Sequence, residues 1–256
     1  MISGAAFPEG LDPGAELLAA VRRQAGAGVV LLAVSGRLAA GKDTVAERAM
    51  LRCAPGATTI IRFGAGVVTE VRRIAAVLAG HQAAGLDRHA ALAACAAELG
   101  HETGHLQQLT DVLWSPLARQ GTEVVGGRTA TARQACQIWG TTRREADPLI
   151  WVRQGLTEAL RTAAAGTSVV IPDVRTPVEA DAVRAVGFLL VRVTAGAEER
   201  RRRLATRDGL VLRAQELEHS TETALDDYPS FDLVVDSEAG TIDETVDLVV
   251  ASLSRA

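Results

Sequence analysis

The chain has 256 residues, of which 48% are hydrophobic, and a formal net charge of −4. This length suits one sizeable α/β domain with insertions, and the mild negative charge argues against a global basic field for nucleic acid. Three widely separated cysteines without a C-x-x-C pair argue against a disulfide framework or a structural zinc site. The first residues lack a signal-peptide pattern and no apolar run reaches about 18 residues, so we expect a cytoplasmic protein with no membrane span.

The N-terminal half of the chain alternates loose, apolar and helical segments. Residues 1–27 predict an arm that ends in a short helix, and the apolar run 29–34 predicts a buried parallel strand. The segment 44–52 predicts the following helix, and 58–62 predicts a short strand. Residues from about 67 to 131 are rich in Ala and Leu at helical spacing, with breaks at glycines, and predict a helical insertion.

The C-terminal half continues the alternation of helices and apolar runs. Buried strands are predicted at 167–171, 188–193 and 233–235. Helices are predicted at 132–139, 149–165, 179–186, 197–206 and 242–253. Because strands that alternate with helices form βαβ units, the sequence predicts an α/β fold with a mostly parallel sheet.

A glycine-rich motif lies between the first predicted strand and its helix. Residues 36–42 read G-x-x-x-x-G-K, a pattern in which backbone N–H groups and the helix N-terminus face phosphates. Lys42 is the only lysine of the chain, and its compact ammonium would reach the β- and γ-phosphates of ATP. Asp43 stands where the motif usually has a hydroxyl, which follows at Thr44. We expect ATP to contact Gly36, Arg37, Ala39, Ala40, Gly41, Lys42, Asp43 and Thr44.

Three further blocks of sequence follow the glycine-rich block (35–46) in order. They are R-Q-A-C-Q-I-W-G-T with D-P-L-I-W-V at 133–152, V-I-P-D-V-R-T-P-V-E-A at 170–180, and H-S-T-E with L-D-D and G-T at 219–241. This ordered set spans most of the chain and resembles the phage-type deoxynucleoside monophosphate kinases of the P-loop kinase superfamily. Phosphomevalonate kinases of the same superfamily share parts of it.

The resemblance implies a three-layer α/β/α kinase domain over 28–256, with the insertion at about 67–131 and a lid at about 197–222. It implies ATP-dependent phosphoryl transfer, with Mg²⁺, to a nucleoside monophosphate such as a deoxynucleotide, giving the diphosphate and ADP. Another small phosphorylated metabolite, as in phosphomevalonate kinases, is the alternative acceptor. The expected partners are these small molecules, with neither nucleic acid nor a membrane, and a homodimer is left open.

Candidate catalytic residues follow from position and chemistry. Asp173 ends a predicted buried strand, where an open α/β sheet places its ligands, and its carboxylate suits Mg²⁺ or an acceptor proton. Thr44 is the other expected Mg²⁺ ligand. Arg175 follows Asp173 closely enough to bind an acceptor phosphate, so Lys42, Asp173 and Arg175 form the expected catalytic set. Further acceptor contacts are expected from Arg133, Gln137, Arg143 and Glu179, and lid contacts from Arg203 and Arg207.

Two hypotheses compete with phosphoryl transfer. Residues 101–105 read H-E-x-x-H, the signature in which two His bind zinc and Glu102 acts as a general base of a hydrolase. Gly104 weakens a helix there. The other hypothesis is a nucleotide-binding regulator that has lost catalysis, which the joint presence of Lys42, Asp173 and Arg175 disfavours.

Overall fold

The computed structural model describes residues 7–54, 56–125, 129–208 and 223–255. The chain divides into two compact units, a sheet unit (Met1–Phe63 and Val152–Ala256) and a helical unit (Gly64–Trp151). The sequence places the helical insertion at about 67–131, whereas the helical unit of the structure continues to Trp151. The predicted lid falls partly outside the described residues, because 209–222 are not among them.

The sheet unit is built on five parallel strands. They are β1 (Leu31–Ser35), β2 (Thr58–Ile60), β3 (Ser168–Val174), β4 (Leu189–Thr194) and β5 (Leu233–Asp236), in the spatial order β2-β3-β1-β4-β5. Every residue of the central strand β1 is buried, as its continuous apolar run predicts. The expected α/β fold with a parallel sheet is therefore confirmed.

The helices of the described residues are numbered in chain order. They are α1 (Ala15–Gly26), α2 (Lys42–Cys53), α3 (Ala65–Ala83), α4 (Arg88–Leu99), α5 (Thr103–Gln120), α6 (Ala130–Ala146), α7 (Ile150–Ala164), α8 (Pro177–Ala185), α9 (Ala197–Asp208) and α10 (Ile242–Leu253). A 3-10 helix, Gly121–Val125, follows α5.

Helices α2 and α10 cover the sheet through apolar residues at helical spacing. Val45 and Ala49 of α2 and Val246 and Val249 of α10 join one buried cluster with β1, β3, β4 and β5. Val34 of β1 is fully buried in this cluster. This packing of helices on a parallel sheet is consistent with the expected three-layer arrangement.

Strand β3 runs past the proline at which the sequence predicts its end. Pro172 lacks an N–H and would break a regular ladder, yet β3 continues to Val174. The register with β1 explains this, since Ile171 pairs with Ala33 but Val174 pairs with Ser35, which leaves one extra residue in β3. The proline therefore lies in a bulge-like irregularity that also reorients the residues around it.

The helical unit has its own core. Leu106, Leu109 and Leu113 recur on one face of α5 and are fully buried together with Trp139 of α6. The indole N–H of Trp139 donates to Glu70 Oε2 at 2.7 Å, which satisfies its one polar atom. Among the helices of the described residues, none has the length and apolar character needed to cross a membrane.

A close glycine contact in the sheet unit gives a stability prediction. A Cβ at Gly155 of α7 would lie 2.5 Å from Phe63 Cδ1, so Gly155→Ala should lower the free energy of unfolding by roughly 1–3 kcal/mol. Gly80→Ala in α3 is the matched control, because no atom lies within 4 Å of its added Cβ and alanine favours a helix by up to about 1 kcal/mol. Urea unfolding measures both, and an unchanged Gly155→Ala would contradict the close packing.

Candidate active site

The glycine loop, defined as residues 36–41, joins β1 to α2 at the carboxyl end of the sheet. A Cβ at Gly36 would lie 2.6 Å from the carbonyl oxygen of Val193 on β4, so only glycine fits beside that strand. Ala39 has a φ of 63° and Gly41 a φ of 94°, both in the left-handed region. This backbone is uncommon for alanine and marks a site held by its surroundings. The turn makes Lys42 the first residue of α2.

The lysine of the motif is paired with its neighbour in the chain. Lys42 Nζ forms an ion pair with Asp43, and Arg62 Nη1 donates to the other oxygen of the same carboxylate at 3.0 Å. Partial burial acts to raise the pKa of Asp43, but the charge of Lys42 and hydrogen bonds from Lys42 and Arg62 outweigh it and lower that pKa. The Lys42 side chain is only 12% exposed, so its ammonium is held within the site.

Asp173 lies where the sequence places it, near the carboxyl end of β3. Its neighbour Val174 pairs with Ser35, the residue that precedes the glycine loop, so β3 and β1 end side by side. Asp173 is 8% exposed, and its Oδ1 accepts a hydrogen bond from the backbone N–H of Phe63 at 3.1 Å. The carboxylate is thus fixed at the sheet edge at which parallel α/β folds place ligands.

Glu179 has a defined structural function in the same region. Its Oε2 accepts from the backbone N–H groups of Arg175 at 2.6 Å and Thr176 at 3.1 Å, and Thr176 Oγ1 accepts from the N–H of Glu179. This capping box begins α8, and Glu179 is only 2% exposed. The carboxylate therefore fixes the backbone at Arg175, while its expected contact with an acceptor stays a prediction.

The other candidate acceptor residues lie on α6 of the helical unit. Arg133 and Gln137 are one helical turn apart and share a face. Arg143 lies near the end of α6, where its Nε is 3.6 Å from Glu70 Oε2 and its guanidinium is 5.7 Å from the Trp139 ring centroid. Their acceptor contacts stay predictions.

Sequence reasoning missed a buried arginine on β4. Arg192 is 7% exposed, and its Nη1 donates to Ser35 Oγ at 2.8 Å while its Nη2 donates to Asp226 at 2.6 Å. The same carboxylate of Asp226 also binds Arg37 of the glycine loop, whose Nε donates at 3.1 Å. A single arginine inside the apolar strand 189–194 was the available signal, because buried charges are paired.

Residues of the glycine loop, β4 and α9 line a cavity of about 290 Å³. Its lining includes Arg37, Arg192, Arg200 and Asp226. Arg200 is 5% exposed, and its Nε donates to the carbonyl oxygen of Ala195 at 3.2 Å. Asp226 balances part of the charge of Arg37 and Arg192 in this lining, which leaves a net positive charge.

Of the two arginines predicted to act in the lid, the structure describes the side chain of only one. The side chain of Arg207 and residues 209–222 lie outside the described part of the chain. Arg203 is described, and its guanidinium contacts Glu199, Ser237 and the carbonyl oxygen of Ala39. Hydrogen bonds from Arg202 and Arg203 lower the pKa of Glu199 to about 2, so this carboxylate stays ionised beside both arginines.

The H-E-x-x-H stretch does not form the helix that zinc binding by this signature requires. Helix α5 begins at Thr103 with Glu102 as its N-cap, so His101 precedes the helix and shares no helical face with His105. The His101 ring packs edge-on against Trp139 at 5.0 Å, and burial and the charge of Arg143 lower the His101 pKa. Among the described residues, no three His, Cys, Asp or Glu side chains form a metal-binding group.

Neither protein-family models nor curated protein sequences give a match to this chain. A glycine loop, a largely buried lysine, a buried carboxylate and several arginines lie at the carboxyl ends of β1, β3 and β4 in the sheet unit. This composition suits a polyanionic ligand with an oxygen-coordinated cation.

The double contact of Asp226 gives a second prediction. Asp226→Ala removes one carboxylate partner of buried Arg192 and of Arg37, so it should lower the free energy of unfolding by roughly 1–3 kcal/mol. Asp227→Ala is the control, since this neighbouring carboxylate is also exposed but, among the described residues, contacts neither Arg192 nor Arg37. Denaturant unfolding of both variants measures the difference, and equal stabilities would mean that Asp226 contributes little to the pairing.

Proposed function

We propose that the chain is a P-loop phosphotransferase that moves the γ-phosphate of ATP to a nucleoside monophosphate or a similar small phosphorylated acceptor. The glycine loop is the observation that supports this most. Its two left-handed residues and its glycine contact with β4 turn the backbone sharply between the central strand and α2, with Lys42 at the first helical position. Backbone N–H groups in such a turn bind phosphate oxygens.

Lys42 and Asp43 give the donor site its charge. Lys42 is balanced by Asp43, and Asp43 is also held by Arg62. A triphosphate would compete with Asp43 for the ammonium, and Arg62 would retain the released carboxylate. Lys42 would then stabilise the negative charge that develops on the transferring group.

Oxygen donors near the glycine loop fit a magnesium ion. Thr44 offers a hydroxyl in the first turn of α2, and Asp173 offers a buried carboxylate at the end of β3. Hard oxygen ligands together with nucleotide phosphates are the usual magnesium environment. When bound, the ion would neutralise charge on the phosphates. Accepting a proton from the acceptor is the alternative role of Asp173.

The acceptor phosphate is a second anion, so its site needs further cations. Arginine is the only other strong cation in the sequence. Arg175 directly follows β3, and its backbone is fixed by Glu179, which favours it as the principal acceptor contact. The cavity that includes Arg37, Arg192, Arg200 and their partner Asp226 carries a net positive charge next to the glycine loop. A phosphorylated metabolite that is not a nucleotide meets the same charge requirement.

Lys42 variants test the donor site. Lys42→Ala should abolish turnover, and Lys42→Arg should restore little of it, because a planar guanidinium does not fit where a compact ammonium is held. ADP formation from ATP with a panel of nucleoside monophosphates and other phosphorylated metabolites is the measurement. Arg161→Ala, in the exposed last turn of α7, controls for the loss of a positive charge. Turnover by Lys42→Ala at the wild-type level would refute the proposal.

Arg175→Ala tests the acceptor site separately. Loss of a bidentate charge-assisted contact should cost about 2–4 kcal/mol, or about 30- to 1000-fold in kcat/KM for the acceptor, with ATP binding nearly unchanged. Steady-state kinetics with each substrate varied in turn decide the assignment. An effect limited to ATP would move Arg175 to the donor side, and no effect would remove it from the site.

A further inference from the structure

Arg203 and Ser237 contact the outer side of the glycine loop. Ser237 directly follows β5, and its hydroxyl oxygen is 2.8 Å from the carbonyl oxygen of Ala40 and 3.0 Å from that of Thr194. Arg203 Nη1 donates to Ser237 Oγ at 2.9 Å and to the carbonyl oxygen of Ala39 at 3.4 Å. The single hydroxyl proton of Ser237 is shared between the carbonyls of Ala40 and Thr194, of which Ala40 is the nearer. Arg203 and Ser237 thus contact two consecutive carbonyls of the loop.

The guanidinium of Arg203 is itself fixed in place. Its Nη2 donates to the carbonyl oxygen of Ser237 at 3.2 Å, and its Nε donates to Glu199 at 2.7 Å. The Arg203 Nη1 atom also lies 3.4 Å from the position of a Cβ built on Gly41, so the guanidinium packs directly against the loop backbone. Arg202, its neighbour, also binds Glu199, but its side chain is 69% exposed, and among the described residues its guanidinium donates only to Glu199.

Because the peptide bond is planar, these contacts with loop carbonyls also determine the direction of the neighbouring N–H groups. In a planar trans peptide, the C=O and N–H bonds point in opposite directions. With the carbonyl of Ala40 directed to Ser237, the N–H of Gly41 points away from Ser237. In the preceding peptide, the N–H of Ala40 closes the turn by donating to the carbonyl of Arg37 at 3.0 Å. Alanine does not favour the left-handed backbone conformation of Ala39, so contacts from outside the loop are needed to stabilise it.

We propose that Arg203 and Ser237 are positioning residues, which hold the carbonyls of Ala39 and Ala40 outward so that the N–H of Gly41 faces the phosphates of a bound nucleotide. The nucleotide part of this inference rests on the proposed function, but the restraint on the loop does not. Arg203 then acts through the loop backbone. A lid arginine would instead contact the transferring phosphoryl group directly.

Four single variants of the full chain separate these possibilities. Ser237→Ala removes only the hydroxyl, and Arg203→Gln removes the charge and most of the directed donors. Arg202→Gln is the matched arginine control, and Ser254→Ala is the serine control, because Ser254 Oγ also donates to a carbonyl, that of Val250, far along the chain from the loop. Ser237→Ala keeps the test decisive if Arg203→Gln does not fold.

Amide hydrogen exchange of the ligand-free variants is the first measurement. Exchange in peptides that cover 36–42 should be about 5- to 10-fold faster in Ser237→Ala and Arg203→Gln than in the wild type and the two controls, as expected from the loss of one hydrogen bond. This readout does not depend on any activity. Exchange rates equal to those of the controls in both variants would overturn the proposal.

Calorimetric titration with ATP–Mg²⁺ is the second measurement. The Kd should rise about 5- to 10-fold in both variants, with the acceptor KM unchanged. Faster exchange with an unchanged Kd would overturn the orientation of Gly41 towards nucleotide. A lower kcat in Arg203→Gln alone, with ATP affinity retained, would overturn positioning in favour of the lid contact. If the wild type binds no ATP, the proposed function fails, and the exchange experiment still decides whether the loop is restrained.

Discussion

The contact between Gly36 and β4 is the constraint on which the site depends. The carbonyl oxygen of Val193 occupies the space that any side chain at position 36 would need. Since β4 pairs with β1 up to Ser35, the chain must leave the sheet at this point and turn at once. The turn then uses left-handed backbone at Ala39 and Gly41 and ends with Lys42 in the first turn of α2. The packing of two strands thus determines where the only lysine lies.

Arginine side chains form the contacts that hold the segments around this lysine in place. Arg192 joins Ser35 at the end of β1 to Asp226, and Asp226 in turn holds Arg37. Arg203 binds the middle of the loop, through the carbonyl oxygen of Ala39. Guanidinium groups suit these places because one planar fork satisfies several acceptors in fixed directions. An ammonium group concentrates its charge at one point, which suits the phosphate contact proposed for Lys42.

Much of the fold follows from local pattern. The apolar run 29–34 predicted the central strand, observed at Leu31–Ser35, and the predicted helix 242–253 matches α10. Periodicity was a poorer guide where tertiary contacts override local preference. The predicted helix 132–139 extends in the structure over Ala130–Ala146, through Gly140, whose carbonyl accepts a hydrogen bond from the indole of Trp151. A glycine that breaks helices in isolation is retained here by packing.

The candidate site likewise has features that follow from local sequence and features that depend on tertiary contacts. The sequence alone determined the glycine loop, its lysine and the placement of Asp173 at a strand end, because motif spacing and strand periodicity are local properties. Only the tertiary structure decided which charges meet. Asp226 binds Arg37 across 189 positions of the chain, and Arg192 binds Ser35 across 157. Such pairs depend on the strand order that sets β4 beside β1. The spacing of residues along the sequence does not show which acidic residue the fold brings to a given arginine.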